Sequence, residues 1–494
     1  VELGPQHKQF VDQSVGEYGL NDHLSNMISL DRRIRDSRVE ECKYWHYPES
    51  LPTASVVIVF FNEAWSVVVR TVHSVINTTP AHLLHEIILV DDGSSYRTSN
   101  NLTAYIRRWN GLVKLIVNKH RQGLIAARIT GAKMVTGDVI VILDAHCECV
   151  TNWLPPLLTE ISNDRRTLAV PIVDGIDWRT FRHNDIYDKT PHRGIWEGGF
   201  LYKETAVPRN EVSLWDHKTR PYWSPTHAGG LLAIEADWFR EIGMYDEGIK
   251  VWGGEQYELS FKVWLCGGNI KWVPCSKVAH IYRGPRTKSF PFPGSVPYQT
   301  HRNHLRLSEV WMDDYKKYFR IREPSTVKLD FGDVSDQLEI KKRLKCSSFE
   351  WFMNNVAYDM KRKFPLPPEN VVWGECRNLG MDVCLDQLGA GFGDKIGIYP
   401  CHNQFFRLNA EGEISSGEHC FHSSPDGSIR KKFCLDGEGI WKPVGEWKYD
   451  EKSMTIKSTK NGKCIEANKT NLFMAACNVE KANQKWKWKK FYLS

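Results

Sequence analysis

The sequence predicts an α/β domain built on a mostly parallel sheet, followed by a smaller all-β domain closed by disulfides. Short apolar runs alternate with helix-periodic segments through the larger part of the chain. Each run ends in polar residues of a kind that can hold a ligand. Over the final stretch of about 120 residues the strand and turn signals become short, and cysteines recur with Trp and Gln.

The first strand is read from Ser55 to Phe61, a continuous apolar run rich in β-branched residues and too short to span a bilayer. Asn62 and Glu63 follow it. Trp65, Val68, Val72 and Val75 carry helical spacing, with Asn77 to Pro80 as the stop. A second strand, Glu86 to Val90, runs into Asp91-Asp92-Gly93-Ser94-Ser95. The third, Val113 to Val117, precedes Arg121-Gln122-Gly123 and a helix over Leu124 to Val135. Val139 to Leu143 then delivers Asp144-Ala145-His146. In open α/β sheets, ligands bind outside the carboxyl ends of the strands. A carboxylate and an imidazole one residue apart can hold a divalent cation and leave positions free for phosphate oxygens. Neither G-x-G-x-x-G nor the P-loop pattern occurs, which argues against a dinucleotide fold or an ordinary ATPase. What remains is a nucleotide held by carboxylates and backbone, its diphosphate neutralised by a metal.

At 494 residues the chain exceeds one core and should form two domains. Its net charge of +6 does not point to nucleic acid. Thirteen cysteines and the sequons at Asn77, Asn101 and Asn468 fit an oxidising, secretory lumen. No apolar run approaches the roughly 20 residues of a membrane span. Val1 to Glu40 is polar and stem-like, so the chain is read as a luminal portion without its membrane anchor.

Four blocks resemble the polypeptide N-acetylgalactosaminyltransferases: Asp144-Ala145-His146-Cys147-Glu148-Cys149, Ala228-Gly229-Gly230-Leu231, Val251-Trp252-Gly253-Gly254-Glu255, and Pro274 to His280. The resemblance runs from about Val39 to the end. It implies a GT-A catalytic domain (Rossmann-like) followed by a ricin-type β-trefoil lectin domain. The expected division is a stem over 1–50, a catalytic domain over 51–350, a linker over 351–370 and the lectin over 371–494.

The family's activity is transfer of GalNAc from UDP-GalNAc to Ser or Thr hydroxyls of polypeptides, with retention at the anomeric carbon, in the Golgi lumen as a type II membrane protein. Carried over, the resemblance implies that Asp144, His146 and His280 bind manganese. Two imidazoles and a carboxylate suit that ion better than magnesium, with zinc the competitor. It further implies that Asp92 holds the uridine with Arg121 nearby, and that Gly229 and Trp252 line the sugar and diphosphate pocket. Retention commonly points to a carboxylate nucleophile. This family is instead discussed as attacking from the front face, the departing phosphate oxygen taking the acceptor proton. Arg283 is then the candidate cation at the leaving group, within a basic, aromatic segment, Tyr282 to Gly294, that reads as a lid or as a solvated loop. Glu255 is expected to orient acceptor or donor; the alternative is a cap for the helix from Gln256 to Leu265. Tyr282 and Trp196 are expected to form a shelf for the acceptor peptide. Trp196-Glu197-Gly198 lacks a Trp usual in the family, which leaves acceptor preference open.

In the last domain, Cys384 with Cys401, Cys420 with Cys434 and Cys464 with Cys477 close loops of similar length, an internal repeat. By resemblance, Cys42 pairs with Cys275 and Cys266 with Cys346, leaving Cys147, Cys149 and Cys376. The first repeat keeps the sugar residues Asp386, His402 and Asn403 but closes with Gln404-Phe405-Phe406. The second has His422 where the Asp belongs and Gly445-Glu446-Trp447 at its close. The third carries Glu466 and a clean Gln484-Lys485-Trp486. Only the first reads as competent for GalNAc, the alternative being a purely structural trefoil. A catalytically silent lectin or a transferase for another donor sugar are the competing functions.

Overall fold

Ala54–Phe60 is almost entirely aliphatic or aromatic, and such a strand is stable only when both of its faces are covered. In the computed structural model, which describes residues 5–94, 96–186, 190–285, 296–434 and 445–493, this segment is strand β1. Helices α1 (Pro5–Tyr18) and α2 (Asp22–Met27) precede it. It is followed by α3 (Trp65–Thr78), β2 (Leu84–Asp91), α4 (Tyr96–Tyr105), β3 (Val113–Val117), α5 (Leu124–Lys133), β4 (Val139–Asp144), β5 (Cys147–Cys149), α6 (Leu154–Asn163) and β6 (Thr167–Asp177). Next come β7 (His183–Asn184), β8 (His192–Glu197), β9 (Leu201–Ala206), α7 (Arg209–Val212), β10 (Tyr222–Trp223), β11 (Leu232–Glu235), α8 (Ala236–Glu241), α9 (Glu255–Leu265), β12 (Asn269–Tyr282) and α10 (Val296–Trp311).

The main sheet has the order β10-β12-β6-β11-β4-β1-β2-β3. β1 pairs in parallel with β2 and β4, β2 with β3, and β12 with β6; the short β11 runs antiparallel to β4. Register puts Asp144 beside Val59 and Asp91 beside Phe60, so the carboxylates that follow β2 and β4 emerge at one end of the sheet. Val56, Val68, Val72, Ile87, Val141 and Leu157 are among the residues of the core between this sheet and its helices.

The expected stem is not separate from this domain. Leu20 is fully buried in a cluster with Ala64, Val67, Ile176, Phe181, Ala279 and Ile281, against which Tyr18, Leu24 and Ile28 pack. A run with few apolar residues reads as solvated, yet a handful of them suffices to dock it. The expected linker is partly helical, at Phe349–Asn355 and Met360–Lys363.

By contacts the chain divides into two units, the second comprising Trp196–Leu201, Asp314–Asp330 and Tyr358–Ser494. Its strands run from β13 (Asn370–Asn378), β14 (Val383–Asp386) and β15 (Gly397–Tyr399) through to the final Trp486–Lys489. Three cysteine-led repeats each set an apolar residue, Leu385, Phe421 or Ile465, into a common core with Phe406, Trp447 and Trp486. The repetition extends to hydrogen bonds: Trp447 Nε1 donates to the Phe421 carbonyl at 2.6 Å, and Trp486 Nε1 to that of Ile465 at 3.0 Å. All five expected disulfides form, and Cys147, Cys149 and Cys376 are free and buried.

Candidate active site

β4 ends on Asp144, the chain turns, and His146 leads into β5, which pairs antiparallel with β12 so that Cys147 lies opposite His280. This pairing brings two stretches of chain more than a hundred residues apart to one point. Donor atoms of Asp144, His146 and His280 all lie within 4.8 Å of one another. His280 Nε2 stands 3.3 Å from Asp144 Oδ2, and the two imidazole rings meet edge-on with centroids 4.6 Å apart. Two donors bound at right angles to an ion about 2.1 Å away are about 3 Å apart, so this pair needs little adjustment to share one.

The surroundings shift the protonation of Asp144 and His146. Burial disfavours charge on Asp144, but the hydrogen bond from His280 and the charge of Arg128 prevail and hold its carboxyl far below the usual range. Burial, then Arg283 and His280, lower His146, which stays neutral at pH 7 and keeps a lone pair to offer. Its Nδ1 faces Glu63 Oε2 at 3.1 Å, an outer-shell carboxylate that fixes the ring and leaves Nε2 for the ion. Glu63 also takes the guanidinium of Arg283, whose Nη2 is 3.3 Å from His146 Nδ1. Although burial opposes it, the Arg283 charge pulls Glu63 down to about 2.

Arg128 is the residue the sequence reading missed. It lies on α5, nearly completely buried, and its guanidinium reaches Asp144 at 3.3 Å, the Gly229 carbonyl at 2.8 Å and the Gly230 carbonyl at 3.4 Å. One side chain therefore joins the Asp144 carboxylate to the Gly-Gly turn. Only glycine fits at 230, since a Cβ there would stand 2.6 Å from Asp144 Oδ2. A cation among the apolar residues of the helix Leu124 to Val135 was the available signal. Buried His227, pushed down to about 3 by burial and then by Arg128, accepts the Gly229 amide through Nδ1 at 3.0 Å.

The other expected residues fall as follows. Asp92 is buried, and its oxygens accept from Asn118 Nδ2 and from the amides of Gln122 and Gly123 at 2.8–3.0 Å. In this structure it holds the turn before α5. Arg121 lies with its guanidinium carbon 4.0 Å from the Phe61 ring centroid. Trp252 is 54% exposed in the turn Val251–Gly254, where Gly253 and Gly254 have φ of +93°. Glu255 is buried, accepts the Gly253 amide at 2.9 Å and stands 4.0 Å from Arg128; burial raises its pKa. Tyr282 is 52% exposed, its ring 4.8 Å from that of His280. Trp196 departs from expectation: at 2% exposure it is interior, the last of four consecutive buried residues on β8, and offers no exposed shelf in this conformation. Of the segment read as a lid, 286–294 lies outside the described residues.

In the second unit, Asp386 Oδ2 and His402 Nε2 are 3.5 Å apart, and the His402 ring meets Tyr399 edge-on at 5.6 Å. Tyr399 is an exposed aromatic that the sequence reading passed over. Asn403 is exposed, its amide bound to Glu375 at 2.7 Å. The corresponding groups of the other repeats are turned to internal use. His422 faces Glu446 at 3.7 Å, and Glu466 accepts from Gln484 Nε2 at 2.7 Å.

Residues 55–213 match the family described as glycosyl transferase family 2, residues 211–284 the N-terminal domain of galactosyltransferase, and residues 372–486 the ricin-type beta-trefoil lectin domain. The chain is 47% identical over 499 residues to N-acetylgalactosaminyltransferase 7 of Drosophila melanogaster, covering 99% of this chain and 83% of that protein. Against N-acetylgalactosaminyltransferase 7 of Homo sapiens it is 42% identical over 503 residues, covering 98% and 75%. A crystal structure of GalNAc-T7 with UDP, GalNAc and Mn2+ superposes with a TM-score of 0.92 at 40% identity, covering 100% of this chain and 91% of that one.

Proposed function

From the premise that this chain belongs to the polypeptide N-acetylgalactosaminyltransferases, we propose that it moves GalNAc from UDP-GalNAc to Ser or Thr hydroxyls of polypeptides, using a manganese ion held by Asp144, His146 and His280. The convergence of those three side chains at a strand end is the observation that carries the reading. Their donor set, two imidazoles and one carboxylate, fits a divalent ion of intermediate softness. Such an ion supplies positive charge that neutralises the diphosphate and stabilises the leaving group.

The chain's own residues divide the remaining work. Arg128 fixes Asp144 and shapes the Gly229-Gly230 turn against it, so the carboxylate is aimed before any ligand arrives. Glu63 orients His146 and holds Arg283 beside it, setting a second cation at the rim where the diphosphate would lie. Glu255 keeps the Trp252-Gly253-Gly254 turn in its left-handed conformation, and its commitment there supports a positioning role over nucleophilic attack. Asp92 acts through the turn it holds, with Arg121 stacked on Phe61 at the nucleoside end. Tyr282, exposed next to the metal ligands, is the aromatic contact for an acceptor peptide.

Asp386, His402 and Asn403, with Tyr399, form the sugar site of the lectin, where a GalNAc already on a glycopeptide binds. Five disulfides support a secretory compartment, the Golgi lumen. Among the described residues no helix is long and apolar enough to cross a membrane.

Release of UDP from UDP-GalNAc, UDP-GlcNAc and UDP-glucose, with and without manganese and a Thr-rich peptide, tests the reading. Release is expected with UDP-GalNAc and only with manganese, faster when peptide is present. No release under any condition would leave the lectin function alone.

A further inference from the structure

The pair Arg283-Gly284 is held from a part of the chain far away in sequence. α1 ends at Gly19, whose φ of +73° and amide bond to the Val15 carbonyl at 2.8 Å make a left-handed helix stop. The freed Gly19 carbonyl accepts the Gly284 amide at 2.8 Å, one residue beyond the site cation. A Cβ on Gly19 would stand 3.1 Å from Arg283 Cβ and 3.4 Å from its Cδ, so the stem of the arginine lies directly on this glycine. On the opposite side, a Cβ on Gly284 would come within 2.3 Å of the Trp178 ring. Asn21 ties the two sides together, its amide donating to the Trp178 carbonyl at 2.9 Å and its Nδ2 to that of Arg179 at 3.0 Å.

The following residues fasten this strap to the domain. Ser25 Oγ meets Ser66 Oγ at 2.8 Å, and buried Arg70 donates to the Ser25 carbonyl at 2.6 Å. Arg32 makes a two-pronged ion pair with Glu148, two residues beyond His146, at 2.5 and 2.7 Å. Nothing in the chemistry of the metal triad requires these contacts. Ser66 and Arg70 lie on α3, and Glu148 lies on β5, the strand that follows His146.

We propose that residues 19–25 set the position of Arg283 at the diphosphate, which makes Gly19 and Asn21 positioning residues for nucleotide binding. The proposal rests on the UDP and manganese reading given above. Its logic is that of an outer-shell partner: the cation contributes only if its backbone is fixed, and the backbone is fixed by Gly19 and Trp178.

Two variants test it. Gly19→Val puts a branched side chain where Arg283 packs and where the left-handed φ disfavours one. Asn21→Asp keeps the oxygen that caps α2 through the Leu24 amide but removes the donor to Arg179. UDP binding in the presence of manganese is measured by calorimetry. In metal-free protein, hydrogen–deuterium exchange is followed in the peptide carrying the Gly284 amide. Both variants are expected to exchange that amide faster and to bind UDP about tenfold more weakly. Asn26→Ala, on the same helix and away from Gly284, is expected to match the wild type in both. UDP affinity within twofold of wild type, with or without faster exchange, overturns the proposal, and Asn21→Asp alone decides if Gly19→Val does not fold. A wild-type protein that fails to bind UDP with manganese overturns instead the reading on which the proposal rests.

Discussion

Arg128 concentrates much of the site's electrostatics in one side chain. It is almost wholly buried, between Asp144 and Glu255, with two carbonyls on its remaining donors. Removing one member of a buried charge group leaves the others uncompensated, a cost of about 3–5 kcal/mol. Arg128→Met should therefore lower the unfolding free energy of the catalytic unit by about that amount and should also weaken manganese binding, as read by denaturant melts and by metal titration. Full stability in the variant would contradict the pairing. His304 gives a pH dependence away from the metal. Burial, with His301 nearby, pushes it down to about 3, while an unfolded histidine titrates near 6.5. Between those values the unfolded chain binds the extra proton, so stability falls as pH drops below about 6.5, by up to about 1.4 kcal/mol per pH unit. His304→Phe should flatten the fall in melting temperature between pH 7 and pH 5. An unchanged slope would show that other groups set it.

At the level of elements, what the sequence revealed follows burial and periodicity. β1, β2 and β4 were legible because parallel strands covered on both faces read as aliphatic runs, whereas β3, at the sheet edge and interrupted by Lys114, is half exposed. The grouping of Asp144, His146 and His280 was legible from motif blocks, but periodicity alone places His280 only in a strand. The register of β12 with β5 is what brings it to His146, and register between distant strands is not written locally. Asp92 and Glu255 are expected at the donor or acceptor by resemblance to the family, with a helix cap as the alternative for Glu255. The structure shows both carboxylates bonded to amides of Gly-containing turns, as such side chains often are. Trp196 differs from the expected shelf because Arg193 to Trp196 are all buried, which the mixed polar and apolar sequence of β8 does not announce. The docking of α2 escaped notice since Leu20, Leu24 and Ile28 are too few to raise the mean hydropathy of a polar segment. In the lectin, the three cysteine-led loops made the repeat visible, while the contact of exposed Tyr399 with His402 depends on the pairing of β14 with β15 and is not written locally.

For the molecule as a whole, the catalytic and lectin sites are built from separate sets of residues with separate cores. A lectin that tethers a glycosylated product raises the local concentration of neighbouring acceptor hydroxyls without touching the chemistry. Asp386→His should then leave transfer to an unglycosylated peptide within about twofold of wild type, while transfer to a peptide already bearing GalNAc falls several-fold. Equal losses on both peptides would reject tethering. Glu466 and His422, bound internally, make the first repeat the one on which this effect depends. The account as a whole rests on a divalent ion shared by Asp144, His146 and His280. It is tested most directly by a crystal structure of the protein grown with manganese and UDP, using the metal's anomalous signal to locate it. A single peak within bonding distance of all three side chains and of the diphosphate is the predicted result. Bound UDP with no manganese among those three residues would contradict it.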